Sequence, residues 1–91
     1  MKFGRFEPCS YIKDPNDRAE EYEFHFPNGY GASVIRGPYS YGGPQGLYEL
    51  AVLKKRRDYW EINYRTQITS DVLGWLTAHT VTKYLEEISR I

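Results

Sequence analysis

The chain has 91 residues, with 12 lysines and arginines against 12 aspartates and glutamates, and a single cysteine, Cys9. That length suits a single domain, 1 to 91, built on one apolar core, and excludes a second. Zero net charge excludes a long-range pull towards nucleic acid or an anionic membrane, and one cysteine excludes an internal disulfide and points to a reducing compartment.

In chain order, residues 1 to 20 begin with "KFGRFEPCSYI", which suits an edge strand with Pro8 at its margin, and continue into a polar loop, "KDPNDRAEE". "MKFGRFEPCS" lacks the apolar run of a signal peptide, and no stretch approaches the roughly 20 apolar residues of a membrane helix. The expectation is a soluble protein of the cytoplasm, with no membrane contact. Cys9 has no His, Lys or Arg within three residues and is expected to be a buried, inert thiol. "YEFHF", 22 to 26, alternates, with Tyr22, Phe24 and Phe26 on one face and Glu23 and His25 on the other, as in a strand with one wet face. Asn28-Gly29 then signals a hairpin, and "YGASVI", 30 to 35, returns with Tyr30, Ala32 and Val34 on one face. Gly31 within it implies a bulge or a close backbone approach. "LYELAVL", 47 to 53, is apolar on both parities apart from Glu49, as in a central strand covered on both sides. "KKRRD", 54 to 58, turns the chain into "YWEINYR", whose alternation is read with Trp60, Ile62 and Tyr64 inward. "SDVLGWL", 70 to 76, reads as a helical turn capped by Ser70 and broken at Gly74, with Val72, Leu73, Trp75 and Leu76 as plug residues between helix and sheet. Val81, Tyr84, Leu85 and Ile88 recur at helical spacing behind a Thr77 N-cap, with Arg90 suited to the negative end. The expected fold is α+β: an antiparallel sheet of four to five strands, in two hairpins, with a C-terminal amphipathic helix packed on one face.

The candidate site is the stretch "RGPYSYGGPQG", residues 36 to 46. Hairpin loops in compact domains usually take two to five residues, and longer ones are either functional or disordered. This one carries aromatics that a flexible linker does not need, so Arg36, Tyr39, Tyr41 and Gln45 are the candidate partner-binding residues; the alternative is that the tyrosines pack over a sheet edge. Its glycines match neither dinucleotide nor P-loop spacing. The second candidate is the basic turn Lys54, Lys55, Arg56 and Arg57, followed by Tyr59 and Trp60. Cations beside aromatics suit single-stranded nucleic acid, although a turn is also where solvated charge ordinarily sits. His25 and His79 have no ligands at zinc spacing around them. Cys9 with either histidine, and Glu21 with Glu23, are the available catalytic combinations, and neither carries motif chemistry. No catalytic residue, metal or cofactor is therefore expected.

Three stretches resemble a group of short, mostly uncharacterised phage and prophage proteins: the Phe26-Pro27-Asn28-Gly29-Tyr30-Gly31 turn, the Tyr41-Gly42-Gly43-Pro44 loop, and the run from Ile68 to Thr77, "ITSDVLGWLT". The resemblance covers roughly residues 20 to 90 and brings no catalytic residues with it. It implies an infected bacterial cytoplasm and a protein that works by binding a host or phage protein, one version being inhibition of a host defence or regulatory protein. The alternative function is a nucleic-acid-binding accessory protein using the turn 54–57. The sequence also leaves open the pairing of two copies through a free sheet edge, the identity of the edge strand deciding it.

Overall fold

The computed structural model describes residues 2–69 and 71–91. It contains β1 (Ser10–Lys13), β2 (Glu20–His25), β3 (Tyr30–Arg36), a 3-10 turn (Gly43–Gln45), β4 (Tyr48–Lys55), β5 (Trp60–Ile62), β6 (Leu73–Leu76) and α1 (Ala78–Ile88). The strands form one antiparallel sheet in the order β1-β2-β3-β4-β5, with β6 also paired to β4. β5 lies along the Leu53–Lys55 end of β4 and β6 along its Tyr48–Leu50 end. The α+β class with one C-terminal helix on an antiparallel sheet stands as expected; among the described residues five strands form the main path and β6 adds a sixth.

The strand pattern builds one dry face. Tyr22, Phe24, Ala32, Val34, Tyr48, Leu50 and Val52 are buried together with Val81, Leu85 and Ile88 of α1. The Thr77 hydroxyl accepts from the Thr80 N–H at 3.2 Å and so caps the helix. Asn28 ties the other helix end to the β2–β3 turn, its amide donating to the Ile88 carbonyl at 2.9 Å. In that turn only Gly29 has positive φ, at 85°. A tight turn at Gly4-Arg5, closed by reciprocal backbone bonds of Phe3 and Phe6 at 2.9 Å, inserts Phe3 beneath the sheet. The Phe3 ring meets Tyr22, Phe24 and Tyr48 edge-on, with centroids 5.2, 6.0 and 5.2 Å away. These two phenylalanines complete the core where the sequence offered only an edge strand.

Three expectations are corrected, and the alternative left open at Gly31 is decided. Trp60 and Ile62 lie on the face opposite the helix: Trp60 is level with Lys55, Ile62 pairs with Leu53, and Leu53 pairs with Gly31. The Trp60 ring crosses Gly31 and stacks on His25 at 3.9 Å and 5°, and Ile62 and Tyr64 are exposed, with no element among the described residues covering them. A β-carbon on Gly31 would stand 2.0 Å from the Phe24 carbonyl oxygen, so this glycine marks a close approach in an unshifted register, not a bulge. Leu73–Leu76 is a strand instead of a helical turn, and Gly74 continues it; Ser70, the expected cap, lies outside the described residues. Within it Leu76 is buried and Leu73 packs on the core, as plug residues, while Trp75 is exposed. Cys9 is exposed rather than buried.

Candidate binding surface

The loop from Gly37 to Leu47 is held by its own backbone. Ser40 accepts from the Gly37 N–H at 2.9 Å and donates to the Gly37 carbonyl at 3.1 Å. Gly42 and Gly46, at φ 83° and 80°, bracket the 3-10 turn, and Leu47 N–H returns to the Gly42 carbonyl at 3.0 Å. Glu49 of β4 accepts from the Tyr41 N–H at 3.0 Å, and Trp75 of β6 donates its N–H to the Tyr41 carbonyl at 3.2 Å. Loop, β4 and β6 are thereby locked together.

Opposite that lock, β6 carries an irregularity. Leu76 is level with Tyr48 and Leu73 with Leu50, so one extra residue of β6 is accommodated between them. Trp75 takes up the irregularity with φ at 60°, a left-handed conformation that costs a bulky residue about 1 to 3 kcal/mol. The Tyr41 side chain lies over Gly74, where a β-carbon would stand 2.5 Å from Tyr41 Cβ, and Trp75 lies against Gly42. Three aromatics nevertheless face solvent: Tyr39 is 90 % exposed, Tyr41 60 % and Trp75 61 %. Beside Tyr39 runs a groove of about 260 Å³, floored by Ile35 and Ala19 and flanked by Pro38. Asp17 and Glu49 stand at its rim, and neither forms an ion pair among the described residues.

Of the four residues expected in a partner surface, Tyr39, Tyr41 and Gln45 are exposed on this loop. Arg36 is not available to it. As the last residue of β3 it turns to the helix side, where its guanidinium bonds Glu20 at 2.8 Å and lies over the Tyr48 ring at 4.7 Å. The same Glu20 carboxylate accepts from the Tyr11 and Tyr22 hydroxyls, both at 3.0 Å. Burial acts to raise the Glu20 pKa, but the hydrogen bonds from Arg36, Tyr22 and Tyr11 outweigh it and hold the carboxyl below its ordinary range. Burial, reinforced by that carboxylate, pushes the Tyr22 hydroxyl up. Trp75 is the member of the surface that sequence reading missed; the signal was a glycine beside an aromatic in a short apolar run, the mark of a bulge.

The basic turn does not present one face. Lys54 lies over the Tyr30 ring at 4.1 Å, and Lys55, on the other side of the sheet, lies 5.7 Å from the Trp60 ring. Arg56 is engaged by Glu61. Arg57 and Tyr59 remain exposed at the tip. The Cys9 thiol donates to the Glu23 carbonyl at 3.3 Å. Although the residue is exposed, partial desolvation of the sulfur and then the nearby Glu23 charge push its pKa up, the opposite of nucleophile activation. The His25 imidazole meets the Glu23 carboxylate at 2.5 Å, and His79 stands exposed in the first turn of α1. Among the described residues no group of three or more His, Cys, Asp or Glu could hold a metal, and no helix is long and apolar enough to cross a membrane. No protein-family model, curated protein or solved structure matches the chain.

Proposed function

We propose that this chain is a non-catalytic binding protein that acts by occluding a partner protein, with Tyr39, Tyr41 and Trp75 as its contact surface and Gln45 at the rim. The observation that carries this reading is a loop hydrogen-bonded to β6, the two together holding three large aromatics in solvent, one of them a left-handed tryptophan. Preorganised aromatics are what a binding hot spot requires, because little conformational freedom is lost on contact. Each ring that a partner covers fully would contribute about 2 kcal/mol from area alone. The Asp17 and Glu49 carboxylates suit a partner with a basic rim and repel a phosphate backbone. The resemblance to phage proteins supports a host or phage protein as that partner, in the bacterial cytoplasm, and inhibition of a defence or regulatory protein is one form of the activity.

The test is capture from bacterial lysate by the tagged chain, with and without nuclease, beside the Tyr39→Ala/Tyr41→Ala double variant. A stoichiometric protein that survives nuclease and is lost with the double variant is the expected result, together with a melting temperature close to that of the parent. Recovery that disappears with nuclease, and falls steeply with salt, would instead assign binding to Lys55, Arg57 and Tyr59 at the basic turn.

A further inference from the structure

We infer that the chain forms a symmetric dimer in which β1 pairs antiparallel with β1 of a second copy, centred on Ile12. The sheet has two edges of different character. On one side β4 is covered by two short pieces, β5 and β6, of three and four residues, and the irregular register and left-handed Trp75 of β6 blunt that edge. The other edge is β1, all four residues of which are exposed although β2 covers one side. Asp14 donates its backbone N–H to Ala19 at 2.9 Å across the β1–β2 turn. The alternation of an antiparallel ladder then turns the backbone groups of Ile12 and Ser10 towards β2, and those of Tyr11 and Lys13 outward. β1 is as short as β6 and carries Lys13, but it keeps a regular register with β2 from Ser10 to Lys13, and its outward N–H and C=O groups are a template for another strand.

Symmetry selects the partner and the register. A two-fold axis normal to the sheet keeps both helices on one side and requires opposed residues to share a face. With the axis at Ile12, Tyr11 opposes Lys13 of the second copy at both ends, so the outward backbone groups meet each other. Ile12, 60 % exposed in one copy, is then covered by its own symmetry mate. The Tyr11 ring, 49 % exposed, receives the Lys13 ammonium, which has no ion pair among the described residues. Centring on Lys13 would oppose like charges, and centring on Tyr11 would set Ile12 against Ser10. The interface does not involve the Gly37–Leu47 loop and stands independently of the function proposed above. Because the strands run antiparallel, the dimer directs its two aromatic surfaces to opposite ends of a continuous sheet.

The test is oligomeric state and register. Sedimentation equilibrium of the parent chain is expected to show the mass rising from one to two chains across the micromolar to millimolar range. Ile12→Lys, which opposes two ammonium groups on the axis, is expected to stay at one chain throughout with an unchanged circular dichroism melt. In a Cys9→Ser background, Ile12→Cys is expected to form an intermolecular disulfide on mild oxidation, because Cα atoms at that kind of site lie about 4.5 Å apart. Ser10→Cys in the same background is expected not to cross-link. A parent chain that remains at one chain at the highest concentration overturns the proposal, as does an Ile12→Lys variant that still dimerises. Equal cross-linking at Ser10→Cys overturns the register.

Discussion

Trp75 carries two costs that a surface residue normally avoids: a large apolar ring in water and a backbone in the left-handed region. Glycine removes both. Trp75→Gly is therefore expected to raise unfolding free energy by about 1 kcal/mol in urea denaturation while weakening partner capture; a loss of similar size would show that the ring's contact with Gly42 outweighs the strain. Glu20 shows the opposite economy, a single carboxylate satisfied by Arg36, Tyr11 and Tyr22 at once. Its folded pKa lies below the ordinary 4.5, so its contribution is present above that pH and is lost as acid protonates the folded form. Tyr22, Tyr11 and Tyr48 are shifted up from 10.0, so their contribution is present below pH 10 and is lost in alkali. Stability measured against pH is expected to fall on both flanks, and Glu20→Gln is expected to flatten the acid flank; an acid flank unchanged in that variant would remove Glu20 as its source. None of this network was legible in the sequence, because Glu20, Arg36 and Tyr48 are brought together only by strand register.

At the scale of elements, β2 and α1 were legible because each has one polar and one apolar side, and the apolar side must be buried, while β3 was legible from the Asn28-Gly29 hairpin signal that returns it beside β2. β5 was legible as a strand but not in its orientation. Alternation places Trp60 and Ile62 on one face without saying which, and β4 is apolar on both, with Ala51 and Leu53 offering the outer face a floor. β6 escaped because four residues with a bulge hold no period. The orientation of β5 has an energetic signature. Trp60 is half-buried and rests on His25 and Gly31, so Trp60→Ala is expected to cost about 1 kcal/mol, against about 3 to 5 kcal/mol for Leu50→Ala, which is fully buried beneath the helix. Equal losses in thermal or urea unfolding would put Trp60 back into the core. The candidate surface was legible in part: the length of the loop marked Tyr39 and Tyr41, but their neighbour Trp75 comes from a strand 34 positions beyond Tyr41, and Arg36 was misplaced because strand parity, not loop membership, decides its direction.

For the molecule as a whole, zero net charge conceals two unlike ends. Asp14, Asp17, Glu20, Glu21 and Glu49 outnumber Lys13, Arg18 and Arg36 where the β1–β2 turn and the long loop meet, and Lys54, Lys55, Arg56 and Arg57 outnumber Asp58 and Glu61 where β4 leaves the sheet at its other end. The fold is also closed by distant residues: Arg5 bonds Glu86 across 81 positions and Asn28 bonds Ile88 across 60. Mixed domains of this kind fold at rates between those of helical bundles and of all-β barrels. The turn that carries Phe3 has no place to dock until Tyr22, Phe24 and Tyr48 already share a face. Phe3→Leu is accordingly expected to accelerate unfolding in stopped-flow measurements and to leave refolding within about twofold of the parent; a refolding rate that falls with stability would place the turn in the nucleus instead. If that turn closes last, as this predicts, the paired strands hold an open aromatic face to the solvent until it does, and a chain caught at that stage can clump with its neighbours.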